Sequence, residues 1–327
     1  MIGTMHRAAL VTALLAAGLS SSALAQKQAN QYPTKPVRMI VPFVPGGGTD
    51  IVARALAQKL SEQMGESFVV DNHGGGGGTI GAEMAVRATP DGYTIAVVSG
   101  SYGTNAALFK LDYDPVNDIT PIALLGDTGF LVVVHPSVPV KSIKELIALG
   151  KAKPGDLNYG STGTGGITHL ATELFTLMTE TKMVHVPYKG TGAALNDLLG
   201  NHVQLMFGAM PAMVPQHKAG RLRGIAVTTL KPNNAVPDIP TVADTVPGYE
   251  AVLWYGSFGP KNMPKDIVAR LNNEIGKALT SPAMQVRLAG EGLDAGGGPP
   301  EQLLTMLRRE VPKWTKVVRE ARIAVIQ

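Results

Sequence analysis

The chain has no cysteine, aromatic residues make up only 5% of it, and only 17% of its 327 residues are charged. Without cysteine there is no disulfide framework and no lipid-bearing cysteine anchor, so stability has to come from burial in a chain of ordinary domain size. The scarcity of aromatics argues against recognition by base stacking. Lysines and arginines are scattered among acids rather than gathered on one stripe, so the sequence lacks the basic face of a nucleic-acid binder. Beyond the first 25 residues no apolar run approaches the roughly 20 residues needed to cross a bilayer.

What is present begins with a leader. Met1 to Arg7 is a short basic start, Ala8 to Gly18 is apolar, and Ser22-Ala23-Leu24-Ala25 has the small-x-small pattern of a signal-peptidase site. The expectation is a signal peptide over 1–25, cleaved after Ala25, and a periplasmic product. A membrane anchor is the alternative, but the apolar run is too short for it. Arg7 is the leader's only charged residue, so the remaining 302 residues carry 28 basic and 25 acidic groups, a net charge of +3. That length suffices for two modest domains.

Short β-rich runs alternate with helical patterns along most of the chain, the mark of βαβ units. Val37 to Val41 reads as a strand, Pro45-Gly46-Gly47-Gly48-Thr49-Asp50 as a glycine loop, and Val52, Leu56, Leu60 and Met64 as one helical stripe. The pattern recurs with strand 68–70, glycines 74–78, helix 82–88 and strand 93–98, followed by a third glycine loop at Ser99 to Gly103. Separate strands are expected at 122–125, 131–134, 157–159, 183–186, 204–207 and 222–227. Pro264, Pro282 and Pro299 open three C-terminal helices; Ile267, Leu271 and Ile275 face inward from the first, and Leu303, Leu307, Val311, Trp314 and Val318 from the last.

Two loops share one logic. Pro45, Gly46, Gly47, Gly48, Thr49 and Asp50, and Ser161, Thr162, Gly163, Thr164, Gly165 and Gly166, each join a strand to a helix through residues that let backbone approach a ligand closely. Helix N-termini offer unpaired N–H groups and partial positive charge, so two such loops can clamp a carboxylate without arginine, with Thr49, Thr162 and Thr164 adding hydroxyls. The plainer reading makes them tight turns with Thr or Asp as helix caps, and Asp50 fits either capping or a ligand or water contact. His169 lies one turn into the helix after Gly166, placed to support that loop.

Other chemistries fare worse. Gly150-Lys151 and Gly276-Lys277 are each followed by Ala, so there is no Walker loop; Gly76, Gly78 and Gly81 match G-x-G-x-x-G only because a glycine run meets it easily, and the next strand ends without a ribose-binding acid. Ser101 and Ser257 are the nearest approaches to a nucleophile elbow, and both lack its first glycine. The six histidines after the leader show no paired zinc spacing. No cofactor or metal is expected. An exported hydrolase acting on a small acid or ester remains the competing function, though no nucleophile, base and orienter stand out for it.

Val41-Pro42-Phe43-Val44-Pro45-Gly46-Gly47-Gly48-Thr49-Asp50, Thr89-Pro90-Asp91-Gly92-Tyr93-Thr94, Val184-His185-Val186-Pro187-Tyr188-Lys189-Gly190 and Asp238-Ile239-Pro240-Thr241-Val242 occur in this order. They resemble the Bug (TctC-like) solute receptors of tripartite tricarboxylate transporters. The resemblance implies a type II periplasmic-binding-protein fold: two α/β lobes joined by a hinge around an interlobe ligand cleft, with 26–126 plus 248–327 as the first lobe and 127–247 as the second. It implies a monomer without catalytic activity that captures a small carboxylate and delivers it to integral membrane subunits, or reports it to a membrane kinase from the same pocket. Phe43 to Asp50 and Ser161 to Gly166 are the implied ligand loops; Ser101, Tyr102 and Phe207 are further candidates, with Phe43 or Tyr102 stacking on an aromatic acid. Gly208 stands where the family often has Asp, and Asn72-His73-Gly74-Gly75 where it often has Asn-Arg-Pro-Gly. If Gly208 faces the cleft, the lost charge favours a dicarboxylate or aromatic acid over an amino acid; alternatively, it merely ends a strand.

Overall fold

The computed structural model describes residues 32–325 apart from Lys189 and Glu291, so the expected signal peptide lies outside the described residues. From its start the chain follows the expected alternation. Strand β1 (Val37–Val41) leads into helix α1 (Gly48–Met64), whose Val52, Leu56 and Leu60 are buried as the four-residue spacing requires. Then come β2 (Phe68–Asn72), a short 3₁₀ turn at Gly76–Gly78, α2 (Thr79–Val86), β3 (Thr94–Ser99) and α3 (Ser101–Leu108). The expected third glycine loop is therefore the first turn of a helix: Gly100 ends the approach and Ser101 to Gly103 are already helical and buried.

The expected strands 122–125 and 131–134 are one strand, β4 (Ile119–Val134). Gly126, Asp127, Thr128 and Gly129 are turn-prone residue types, but pairing with Tyr255, Trp254, Leu253 and Val252 keeps them in the ladder, with an irregularity at Gly126. After β4 come α4 (Ile143–Ala152), β5 (Asn158–Ser161), α5 (Ile167–Thr179), β6 (Val184–Pro187), α6 (Thr191–Leu199), β7 (Leu205–Ala209), α7 (Met210–Lys218) and β8 (Arg223–Val227). The return segment supplies β9 (Val252–Pro260), α8 (Lys265–Thr280), α9 (Pro282–Gly290), β10 (Asp294–Ala295) and α10 (Glu301–Glu320).

Strand β9 escaped the sequence reading because all nine of its residues are buried, so it lacks the alternation of a half-exposed strand, and its two glycines read as turn residues. It is also the strand that organises the molecule. The sheet runs β2-β1-β3-β9-β4-β7-β5-β6; β1 pairs in parallel with β2 and β3, β9 lies antiparallel between β3 and β4, and β5 pairs in parallel with β6 and β7. The first half of β4 pairs with β9, and its second half with β7 and β8, so one continuous strand passes through both α/β lobes. Helix α10 packs against α3 and β4, and its Leu303, Leu307, Trp314 and Val318 are buried as expected. Burial of a side chain such as Phe258, fully enclosed at the sheet centre, contributes about 1.5–3 kcal/mol.

Candidate functional site

The two glycine loops are built alike. Each helix begins after an extended glycine, Gly47 for α1 and Gly166 for α5, and neither glycine has a side chain to cap the helix. The residue before it, Gly46 or Gly165, has positive φ (84° and 78°), a conformation that L side chains rarely adopt. In both loops the third residue of the helix reaches back to that glycine: Gly46 N–H donates to Asp50 Oδ2 at 2.9 Å, and Gly165 N–H donates to His169 Nδ1 at 3.0 Å. It is like the reciprocal half of a capping box moved back to the residue before the cap, served once by a carboxylate and once by an imidazole.

Asp50 is consequently a brace rather than a cap or a ligand group. It is 3% exposed; its Oδ2 also accepts from Arg54 Nε at 2.9 Å and its Oδ1 from Asn72 Nδ2 at 2.9 Å, while Asn72 Nδ2 holds the Phe43 carbonyl at 3.0 Å. Burial pushes the carboxyl pKa up, but the bonds from Arg54, Gly46 and Asn72 outweigh it and hold it below the ordinary value. Arg54 was not singled out from the sequence, and Asn72 only as part of Asn72-His73-Gly74-Gly75; an arginine four residues after Asp50 on a helix was the available signal.

The second loop is held from several sides. Thr162 N–H donates to Thr168 Oγ1 at 3.0 Å and the two threonine hydroxyls share a bond of the same length; Gly163 N–H donates to Ser161 Oγ at 3.2 Å, and Gly166 N–H to the Gly163 carbonyl at 3.1 Å. Ser161 is fully buried and its hydroxyl lies 2.6 Å from His185 Nε2. From α3, Thr104 donates to the Gly165 carbonyl at 3.2 Å. Ser161 and Thr162 are therefore spent on the loop itself, and Thr164 is its exposed side chain.

The remaining candidates divide. Pro45 and Gly46 are exposed, and Phe43, Gly47, Gly48, Gly163 and Gly166 are partly so. Phe43 borders the glycine turn, where a side chain at Gly78 would meet its ring at 3.1 Å. Tyr102 is a correction: its ring is 2% exposed, packs on Phe258 at 4.9 Å and Tyr113 at 6.3 Å, and its hydroxyl donates to the Pro115 carbonyl at 3.1 Å. It is core, not a stacking platform. So is Phe207, wholly buried between Phe175 at 5.5 Å and Tyr249 at 6.4 Å. At Gly208 a Cβ would lie 2.4 Å from Met213 Cγ, so the missing side chain points into the core beneath α7 and not toward a ligand. Ser101 is buried in α3, and Ser257 is fully buried mid-sheet opposite Val97 and Ala123, so neither is a presented nucleophile. A cavity of about 480 Å³ lined by Leu174, Leu177, Met178, Arg309, Lys313 and Lys316 lies at the far end of α5, some 12 Å or more along the helix from the glycine loop.

Comparison with known proteins agrees with this architecture. BugT of Bordetella pertussis (strain Tohama I) is 35% identical over 296 residues, covering 89% of this chain and 91% of its own. The solved structure of Rpa4515 from R. palustris with adipate superposes with a TM-score of 0.85 at 38% identity, covering 90% of this chain and 99% of that one. MatC (Rpa3494) from Rhodopseudomonas palustris with bound malate gives a TM-score of 0.82 at 30% identity, covering 88% and 100%. The family model described as the tripartite tricarboxylate transporter family receptor matches residues 52–323. The periplasmic-binding-protein fold accords with that match: the chain belongs to the tripartite tricarboxylate transporter receptor (TctC, or Bug) family of periplasmic solute-binding receptors and, as a member of it, is not an enzyme.

Proposed function

We propose that this receptor captures a small dicarboxylate between the loops 43–50 and 161–166 and hands it to the integral membrane subunits of a tripartite transporter. The observation that carries the reading is the like construction of the two loops. Each begins a helix, whose first-turn amides (Gly48 and Thr49 on α1, Ile167 and Thr168 on α5) have no intrahelical acceptor, behind a glycine braced by the helix's own third residue. Such termini favour an anion. The side chains bracing them are either neutral or already paired, so no charge competes with the ligand. Adipate in one solved relative and malate in another support the dicarboxylate class, and the burial of Tyr102 removes one of two stacking partners an aromatic acid would use.

In this reading residues 1–25 are removed on export, the protein is a periplasmic monomer, and the lobes comprise 26–126 with 248–327, and 127–247. Closure pivots on β4, which crosses from one lobe to the other at residues 126–127, and on the segment that returns into β9. Calorimetry with adipate, malate and benzoate, with small-angle scattering on the same samples, tests it. One-to-one binding of a dicarboxylate with a smaller radius of gyration is expected. Saturable binding without compaction refutes closure, and no binding by any of the three refutes the ligand class.

A further inference from the structure

We infer that His169 and His185 are positioning residues of the ligand loop: a stacked pair of imidazoles that fixes where the 161–166 backbone presents its amides. This rests on the reading of that loop as half of the ligand site. The two rings lie 3.8 Å apart at 10°, with Tyr159 beside both, 5.0 Å from His185 and 6.3 Å from His169. His169 holds one end of the loop through Gly165 N–H, and His185 holds the other through the Ser161 hydroxyl. They come from different elements, α5 and β6, and meet only because β5 and β6 pair in parallel with Tyr159 opposite His185.

The hydrogen bonds set the tautomer. Because Gly165 N–H donates to Nδ1 of His169, that nitrogen carries no proton, and the ring's proton is on Nε2, 4.0 Å from Glu173 Oε1. Glu173 in turn takes the Tyr159 hydroxyl, so the stack is tied to α5 and β5 together. The ionisable groups beside the pair among the described residues are Glu173 on α5 and the phenol of Tyr159 on β5. Burial keeps His169 neutral, with the neighbouring His185 adding to the effect, and burial does the same to His185; their pKa values fall to about 3 and about 4.

The comparison with Asp50 shows why the charge state matters. At the first loop the acceptor is an anion and Arg54 offsets it. At the second loop an imidazole does the same geometric work without charge, so the loop offers a carboxylate its N–H dipoles with no negative group behind them. A protonated Nδ1 cannot accept from Gly165, and two imidazolium rings in this stack repel.

The test uses His169→Phe, which keeps a ring in the stack and removes the acceptor, and His169→Asn, whose Oδ1 can take the place of Nδ1. Hydrogen exchange at the Gly165 amide is expected to quicken about tenfold or more in the Phe variant and stay within about threefold of the parent in the Asn variant. Adipate affinity by calorimetry should follow the same order, with a loss of about tenfold or more for Phe, equivalent to about 1.4 kcal/mol. Unchanged Gly165 exchange in the Phe variant, or equal losses in both variants, overturns the inference. Imidazole ¹⁵N spectra of the unaltered protein provide a check that needs no variant: a proton on His169 Nδ1 at neutral pH refutes it. If neither adipate nor malate binds the unaltered protein, the proposed ligand class fails, while exchange and spectra still decide the role of the histidines.

Discussion

Lowering the pH from 7.5 to 5.0 should destabilise this receptor chiefly through two buried rings. In an unfolded chain His169 and His185 titrate near 6.5; in the folded chain they titrate at about 3 and about 4. Both folded-state values are depressed, so above pH 6.5 the rings are neutral in either state and contribute no pH dependence. Below it the unfolded chain takes up protons that the folded chain refuses, and stability falls until the folded-state values are reached. At pH 5.0 the difference amounts to about 2 kcal/mol for each ring, or about 4 kcal/mol together, a large share of the 5–15 kcal/mol typical of a folded protein. Urea unfolding at the two pH values, for the parent and for His169→Phe/His185→Phe, isolates the effect, since the other titrating groups are common to both proteins. The parent should lose about 4 kcal/mol more than the double variant, and each single variant should recover about half. Equal pH dependence in parent and double variant refutes the account of a neutral stack.

Gly47→Val should fold normally and lose dicarboxylate binding, because its Cβ enters open space and meets nothing closer than the Val44 carbonyl at 3.9 Å; Gly165→Val should instead lose stability, since Gly165 has positive φ and its Cβ would lie 2.3 Å from Leu108. Thermal melts beside calorimetry separate the two outcomes. Gly208→Asp should lower the melting temperature rather than retune specificity, because the new carboxylate would displace Met213 in the core, an overpacking cost of about 1–3 kcal/mol before the buried charge is counted. A stable variant with altered ligand preference would place residue 208 in the cleft after all. Phe207→Ala should cost about 3–5 kcal/mol in chemical denaturation, as for an enclosed aromatic, and a near-neutral result would show that the ring is not core.

Much of this architecture was legible from the chain alone. Period-four apolar residues placed α1, α8 and α10, the strand–glycine–helix sequence located both loops, and His169 was already suspected of supporting the second. Where the reading went astray, long-range contacts had overridden local character. Gly126 to Gly129 look like a turn and are kept in the ladder by β9; Ser101 to Gly103 look like part of a loop and are helix packed under α10; Tyr102, Phe207 and Gly208 sit close in sequence to the strand ends that frame the site, yet turn toward the core.

Periodicity and glycine placement are properties of neighbouring residues, so they established the α/β alternation, the two loops and the absence of a nucleotide or nucleophile motif before any fold was seen. Which side chains face the loops is a different kind of fact. Asp50 meets Asn72 across 22 residues, His169 meets His185 across 16, and Thr104 reaches Gly165 across 61. No local pattern encodes those distances. They follow from the order in which the strands pair, and a one-residue change in the register of β2 or β6 would turn Asn72 or His185 to the opposite face.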